Sequence, residues 1–275
     1  MSSIDFWSAH DEACQRGETT YEDPQTGFTV FTRIGLEGRD KCCGAGCRHC
    51  PFDHDNVPAK RRAQSIQQPA WLSELRPDPE AQVAFLFWSG GKDSFLTFRA
   101  MQREGRFTPV LLTTFNARTR IIAHQEFSIE EVVSQAEALR VPLIGVPLHP
   151  GADHVEQLVP AFDLLPDCTH LCFGDLHLEH IRQWREEAFA KHDRTAKMSL
   201  EFPLWQADYS SLFADLVASG AACEISAIAA ALPNIAVGDP YDARCRDRLP
   251  DHVDAMGENG EFHTRIVLRK PLVPG

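Results

Sequence analysis

Short unbroken apolar runs alternate along this chain with longer stretches in which apolar residues recur every three or four positions. Residues 83–88, Val-Ala-Phe-Leu-Phe-Trp, form a run of the first kind and predict a buried strand. Residues 95–101, Phe-Leu-Thr-Phe-Arg-Ala-Met, predict a helix that Gly105 ends. The same alternation predicts strands at 110–115, 141–146, 170–173 and 225–230, and helices at 178–191 and 210–220. Ser128-Ile129-Glu130-Glu131 reads as a capping box that opens a further helix, with Val132, Ala136 and Leu139 on one face. Strands alternating with helices predict an α/β fold, a parallel sheet covered by helices on both faces. Ligands of such sheets bind beyond the carboxyl ends of the strands. The loop at 89–94 and the turns at 114–118 and 174–176 are therefore expected to converge.

The first 62 residues have a different character. Residues 4–14 read as a short amphipathic helix or turn, and 27–34 as a strand. Four cysteines, Cys42, Cys43, Cys47 and Cys50, fall within nine residues, interleaved with Gly44 and Gly46. Glycines between clustered thiols let a backbone wrap around a metal and turn its N–H groups toward the sulfurs. The spacing of Cys43, Cys47 and Cys50 suits an iron–sulfur cluster with one open iron, and Cys14, Cys42, His49 or His54 could complete it. Ligand type equally permits Zn²⁺. From Lys60-Arg61-Arg62 onward the chain is polar and proline-containing up to Pro79. The expected division is a cysteine-rich metal-binding module at 1–62, a linker at 63–80 and a nucleotide-binding domain at 81–275. The basic triplet reads as a solvated surface.

Bulk composition narrows the classes. Length, 43% apolar residues and 24% charged residues are those of a globular protein with a sizeable core. No apolar run reaches membrane-spanning length, and the N-terminus lacks the basic start and apolar core of a signal peptide. The expected location is cytoplasmic, with no membrane partner. Net charge is −12, with 29 acids against 19 bases after residue 62. That balance disfavours a broad nucleic-acid footprint. Nine cysteines in such a chain indicate thiol or metal chemistry in preference to disulfides.

The sharpest chemical signal is Ser89-Gly90-Gly91-Lys92-Asp93-Ser94, placed between the predicted strand and helix. A glycine turn entering a helix N-terminus presents backbone N–H groups to an anion. Lys92 adds a point charge, and the hydroxyls of Ser89 and Ser94 add donors. The spacing is not that of the common nucleotide loop, which requires four residues between Gly and Gly-Lys-Ser/Thr. It resembles the pyrophosphate loop of the ATP pyrophosphatase superfamily. That resemblance implies an adenine-nucleotide alpha-hydrolase-like fold, ATP and Mg²⁺ as cofactors, and cleavage of ATP between its α and β phosphates as a substrate oxygen is adenylated.

Three further stretches narrow it. Residues 113–116 (Thr-Thr-Phe-Asn) are followed by His124 and Gln135-Ala136-Glu137-Ala138-Leu139. Residues 174–187 begin Gly-Asp-Leu-His-Leu-Glu-His-Ile-Arg. Residues 254–264 hold Glu258-Asn259-Gly260-Glu261-Phe262-His263-Thr264. With Pro203-Leu204-Trp205, they resemble the diphthine–ammonia ligase family and its bacterial-type relatives over nearly all of 81–270. The implied activity is amide formation, in which ammonia or an amine displaces AMP from an adenylated carboxylate.

On that resemblance Lys92, Asp93, Glu258 and Glu261 are the catalytic candidates. Ser89, Gly90, Gly91, Lys92, Asp93, Ser94, Thr114, Asn116, Gly174 and Asp175 would bind nucleotide. Glu179, Arg182, Asn259, His263 and Thr264 would bind the acceptor, and His124 is a weaker candidate near the adenosine. Glu179 and Arg182, three apart on one helix face, could instead pair with each other. The chain departs from the ligase pattern at Asn259 and His263 and in carrying the cysteine module, which leaves the acceptor open as a small molecule or a protein-borne group. Two other readings stand beside it: an iron–sulfur-dependent sulfur or tRNA-modifying ATP pyrophosphatase, and a nucleotide-sensing module with structural zinc.

Overall fold

The computed structural model describes residues 6–123, 125–229, 232 and 234–268. Its first part holds α1 (Phe6–Gln15), β1 (Thr20–Glu22), β2 (Thr29–Phe31), α2 (Arg33–Glu37) and α3 (Ala59–Ser65). There follow β3 (Ala70–Trp71), β4 (Val83–Phe87), α4 (Lys92–Glu104), β5 (Thr108–Asn116), α5 (Ile129–Leu139) and β6 (Leu143–Leu148). Then come α6 (His154–Phe162), β7 (His170–Cys172), α7 (Glu179–Phe189), β8 (Ser199–Glu201) and α8 (Tyr209–Ala218). The chain ends with β9 (Ala222–Ile228), α9 (Ala243–Arg246) and β10 (Phe262–Val267). Among the described residues no helix is long and apolar enough to cross a membrane.

The central sheet has the order β3-β6-β5-β4-β7-β8. All of its pairings are parallel except that of β3, which lies antiparallel on β6 at the edge. From β4 the chain steps to β5 and β6, then returns to the other side of β4 for β7 and β8. The strand order reverses between β4 and β7, which is where open α/β sheets form a binding crevice. Burial follows the two-residue period of a strand. Leu86 packs with Phe95, Leu96 and Val132 of α4 and α5, whereas Phe85 faces Leu158, Phe162 and Phe189 of α6 and α7. Both faces are covered, as an all-apolar strand such as β4 requires.

Several elements differ from the sequence expectation. The strand expected at 225–230 does not join the parallel sheet; as β9 it pairs antiparallel with β10 in a separate ladder. One face of that ladder, with Cys223, Ile225, Phe262 and Ile266, closes the core over α4, and the other stays half-exposed. A ladder of that kind alternates, whereas a strand inside the parallel sheet must bury both faces. The sheet's last strand is instead β8, three residues with no apolar run. The strand expected at 27–34 shortens to β2 because Thr32 caps α2, its Oγ1 accepting from the N–H of Gly35 at 3.1 Å. Ser128 occupies the cap position of α5 without a side-chain bond. Glu131 is drawn to Arg265 at 3.1 Å, so a tertiary ion pair replaces the expected capping box.

The stretch read as a linker is packed. Ile66, Ala70 and Leu72 are fully buried, and β3 extends the main sheet. Arg62, expected at the surface, is also fully buried. Its guanidinium donates to the carbonyls of Val57 at 2.8 and 3.0 Å and of Trp71 at 2.6 Å, and meets Glu74 at 3.2 Å. One fork of donors thereby ties the end of the cysteine-rich region to β3. Replacing it strands buried carbonyls. Arg62→Ala is expected to lower the unfolding free energy by about 2–4 kcal/mol in urea titration. Arg62→Lys recovers little of it, because an ammonium cannot reproduce the fork.

Candidate active site

The loop after β4 is gripped from two sides. Trp88 sends its indole N–H to Gln135 Oε1 at 2.8 Å, and Gln135 Nε2 donates to the carbonyls of Gly90 at 3.0 Å and Ile266 at 2.8 Å. The Gly90 carbonyl also accepts from the N–H of Ile266 at 2.9 Å. Gly90 adopts φ +80°, and a Cβ there would lie 2.7 Å from Gln135 Oε1. A Cβ on Gly91 would lie 2.9 Å from the Thr264 carbonyl. Glycine is required at both positions by close approach, and at Gly90 by backbone sign as well. Thr264 lies beneath the loop, its Oγ1 accepting from the N–H of Lys92 at 3.1 Å. It holds the loop and does not line the cavity that the loop borders.

Lys92 opens α4 with its side chain almost wholly buried, 5.8 Å from the centre of the Phe262 ring, and its Nζ pairs with Asp93 Oδ2 at 2.8 Å. The other oxygen of Asp93 is buried without a hydrogen-bond partner among the described residues. On the far side of the crevice, Gly174 follows β7 and packs so closely that a Cβ would sit 3.1 Å from the Asp93 carbonyl. Asp175 forms a two-point ion pair with Arg185 at 2.6 and 3.1 Å.

Between these elements lies a cavity of about 550 Å³. Ser89, Asp93, Ser94, Thr114, His154, Asp175, Arg185 and Glu258 supply its polar lining, Gly174 lies at its edge, and Leu112, Ile122, Leu148 and Phe173 form its apolar wall. The three segments expected to converge do so. A larger cleft, about 840 Å³, opens at the amino ends of the strands, where Val83, Phe107 and Thr169 lie. It has neither the glycine loop nor a helix N-terminus aimed into it, so the carboxyl-end cavity is the stronger candidate site.

Glu258 is the titratable group most altered there. Burial, reinforced by the Asp93 carboxylate and partly offset by Lys92, pushes its carboxyl up to about 7. The bend that carries it is built by its neighbours. Asp254 accepts from the N–H groups of Met256 at 2.8 Å and Glu258 at 3.2 Å. Glu261 in turn accepts from the N–H groups of Asp254 at 2.9 Å and Asn259 at 3.1 Å. Burial raises the Glu261 carboxyl, but these backbone donors and the Asn259 side chain outweigh it and hold the group below its usual range. Glu261 and Asn259 therefore shape the turn, and only Glu258 of the two glutamates lines the cavity. The Tyr209 hydroxyl donates to Asp254 at 3.0 Å and lies 2.8 Å from His177 Nδ1. Burial, then the Asp254 charge, raises that phenol.

Other expected residues lie elsewhere. Arg182 pairs with Glu186 at 2.9 Å, not with Glu179, and its guanidinium lies 4.9 Å from the rings of both Phe202 and Trp205. Neither Glu179 nor Arg182 lines the cavity. Asn116 accepts from the N–H groups of Arg118 and Thr119 at 2.9 Å each and shapes the turn after β5. His263 sits in β10 beside a register shift. His124 lies outside the described residues. Gln135, Trp184 and His154 had not been singled out as site residues. Gln135 carried a signal: it falls on the same helix face as Val132, Ala136 and Leu139, a polar residue on an apolar stripe.

The four clustered cysteines fall into an outer pair and an inner pair. Cys43 and Cys47 bring their sulfurs to 3.7 Å, while Cys42 and Cys50 are buried together against Val57. Cys14 contacts His10 Nε2 at 3.4 Å, His49 bonds the Tyr21 hydroxyl at 2.9 Å, and His54 bonds the Cys47 carbonyl at 2.8 Å. Cys14 and one nitrogen of each histidine are thus engaged elsewhere, while the Nδ1 atoms of His49 and His54 are buried without a hydrogen-bond partner among the described residues. Among the described residues no set of three or more Cys, His, Asp or Glu side chains is arranged to hold a metal ion. The side chains as placed do not form a cage for zinc or for an iron–sulfur cluster.

Residues 9–56 match a family of unknown function (DUF5522). Among solved structures the chain is similar to the crystal structure of a predicted subunit of tRNA methyltransferase from Methanocaldococcus jannaschii. Identity is 19% and the TM-score 0.37, over 69% of this chain and 98% of that one.

Glu258 links the cavity to pH. Its folded-state value of about 7 lies above the ordinary 4.5, so the folded protein keeps a proton that the unfolded chain releases. Stability contributed by this group is present below 4.5 and is lost as pH rises to about 7. Glu258→Gln is therefore expected to gain stability relative to the parent across that interval, by up to about 3 kcal/mol. Urea titrations of both proteins at stepped pH measure it, and a pH-independent difference would contradict it.

Proposed function

We propose that the protein is an ATP pyrophosphatase-type ligase that adenylates an acceptor oxygen and transfers the activated group to ammonia or an amine. One observation carries this reading. A clamped glycine loop leads into a helix at the point where strand order reverses; Ser89, Asp93, Ser94 and Glu258 line the cavity there, and Lys92, buried and off the lining, pairs with Asp93. The cavity volume of about 550 Å³ lies within the range of nucleotide-sized sites.

In this reading the triphosphate lies against the loop, where Ser89, Ser94 and the start of α4 supply donors and Lys92 supplies charge. The nucleoside lies along Leu112, Thr114 and Ile122. The acceptor carboxylate attacks the α-phosphorus as the bond to the bridging oxygen of pyrophosphate breaks. Negative charge on the departing pyrophosphate is met by Lys92, which exchanges its present partner Asp93 for phosphate. Asp93, with one unpartnered oxygen, is the residue that would hold Mg²⁺ beside the phosphates; that ion supplies further charge neutralisation. In the second half, the amine attacks the acyl carbon and AMP leaves. Glu258, with a proton affinity near neutrality, takes the proton the amine sheds.

Calorimetric titration with a non-hydrolysable ATP analogue tests the binding half. Lys92→Ala is expected to weaken binding at least about tenfold, while Glu258→Gln binds as the parent does. With hydrolysable ATP and acceptor pools, the products expected are AMP and pyrophosphate, and Glu258→Gln slows turnover by about 10²–10⁴-fold. Formation of ADP and phosphate would sink the assignment.

A further inference from the structure

The nucleotide chemistry makes no use of the thiols of the N-terminal region, yet two of them are held in contact. Cys43 Sγ and Cys47 Sγ lie 3.7 Å apart on a loop whose intervening glycines, Gly44 and Gly46, adopt φ of 74° and 75°. Side chains from outside fasten that loop. Asn56 Nδ2 donates to the Cys42 carbonyl at 2.6 Å, the His54 ring bonds the Cys47 carbonyl at 2.8 Å, and Gln68 Nε2 donates to the Cys50 carbonyl at 3.1 Å. A Cβ on Gly44 would press to 3.0 Å from the Asn56 carbonyl, so the turn is specified and not incidental.

The pair is also asymmetric. Cys43 is exposed and Cys47 half-buried, while Cys42 and Cys50 are closed off from solvent. The Arg39 guanidinium donates to Cys43 Sγ at 3.7 Å and leaves Cys47 to the interior side. One sulfur is thus presented to reagents in solution beside a positive charge, and a second waits behind it.

We propose that Cys43 and Cys47 form a redox-active dithiol that exchanges with low-molecular-weight disulfides, Cys43 being the entry sulfur and Cys47 the resolving one. The Cys43 sulfur attacks one sulfur of an external disulfide. That S–S bond breaks, and the departing half leaves as a thiol with the proton Cys43 gave up. A mixed disulfide remains on Cys43. Cys47 then attacks the Cys43 sulfur, the mixed S–S bond breaks, and the second half leaves as a thiol with the proton of Cys47. The dithiol has lost two electrons and two protons, and the external disulfide has been reduced to two thiols. The protein sulfurs must close from 3.7 Å to about 2.05 Å, a movement that the Gly44–Gly46 turn can supply.

The test equilibrates the full-length protein in a series of reduced-to-oxidised glutathione ratios. Acid quenching, alkylation and peptide mapping follow. The expected result is a Cys43–Cys47 crosslink whose fraction tracks the ratio, with Cys42 and Cys50 alkylated only after unfolding. Cys47→Ser is expected to accumulate a glutathione adduct on Cys43, and Cys43→Ser to yield neither adduct nor crosslink. The unsubstituted protein supplies the crosslink readout even if a variant folds poorly. Absence of the crosslink at the most oxidising ratio would overturn the proposal, as would crosslinking of a different pair. Stoichiometric zinc or iron on the purified protein that shields these thiols from alkylation would overturn it too.

Discussion

The candidate active site depends on the two hydrogen bonds that the Gly90 carbonyl accepts, from Gln135 Nε2 and from the N–H of Ile266. These donors belong to α5 and β10, elements far apart in sequence, and the acceptor belongs to the turn that leaves β4. A glycine turn in isolation is among the most mobile pieces of backbone, since it loses the most conformational freedom on ordering. Here both donors are buried, where an unmade bond is costly, so the loop has one low-energy position. The Trp88 indole on Gln135 Oε1 fixes which end of the amide faces Gly90. The β9–β10 ladder is thus as much a part of the candidate site as the loop itself.

Electrostatics inside the cavity follows from that rigidity. Lys92 enters the interior with Asp93 as its partner, so a buried ammonium is compensated at 2.8 Å. The remaining charge is then lopsided, since Asp93, Asp175 and Glu258 all line the same space. Asp175 is neutralised by Arg185. Glu258 has no such cation of its own, and its carboxyl responds by holding its proton to about 7. An acid held protonated until near neutrality is the kind of group that the proposed reaction would use to take up a proton.

How far these features could be read in advance differs from residue to residue. The β4 run, the glycine loop and the Gly174-Asp175 turn were visible because each rests on local sequence, and their convergence followed from the rule for parallel sheets. What the sequence hid was pairing at a distance. β9 and β10 face each other across more than thirty intervening residues, and nothing local in residues 222–228 says whether the partner strand runs parallel or antiparallel. Arg62 looked like surface charge because it sits in a basic triplet, and it is buried only because the carbonyls of Val57 and Trp71 meet it. Glu261 reads as a catalytic candidate and Asn259 as an acceptor ligand, yet a short glycine bend needs its own hydrogen-bond acceptor, and Glu261 serves that need first. Gln135 left only a faint local trace, a polar residue on an apolar helix face, and nothing local pointed to its bonds with Gly90 and Ile266.

The N-terminal region and the cavity lean on pH in opposite senses. Phe6 and Trp7 of α1 pack around His149, which follows β6, with ring centres at 5.2 and 5.9 Å. Behind them His10 and His49 stack at 3.7 Å, an arrangement that like charges on both rings would oppose. Burial first, and His10 next, lower His49 to about 3 from an ordinary 6.5. The unfolded chain therefore takes up a proton that the folded chain refuses, and stability from this group is lost as pH falls below 6.5. Glu258 works the other way, losing stability as pH rises from 4.5 to about 7. Between 4.5 and 6.5 the contributions of these two groups oppose each other, so their sum varies less with pH than either alone. His49 and Glu258 both favour the uncharged form inside the fold, the one a base and the other an acid.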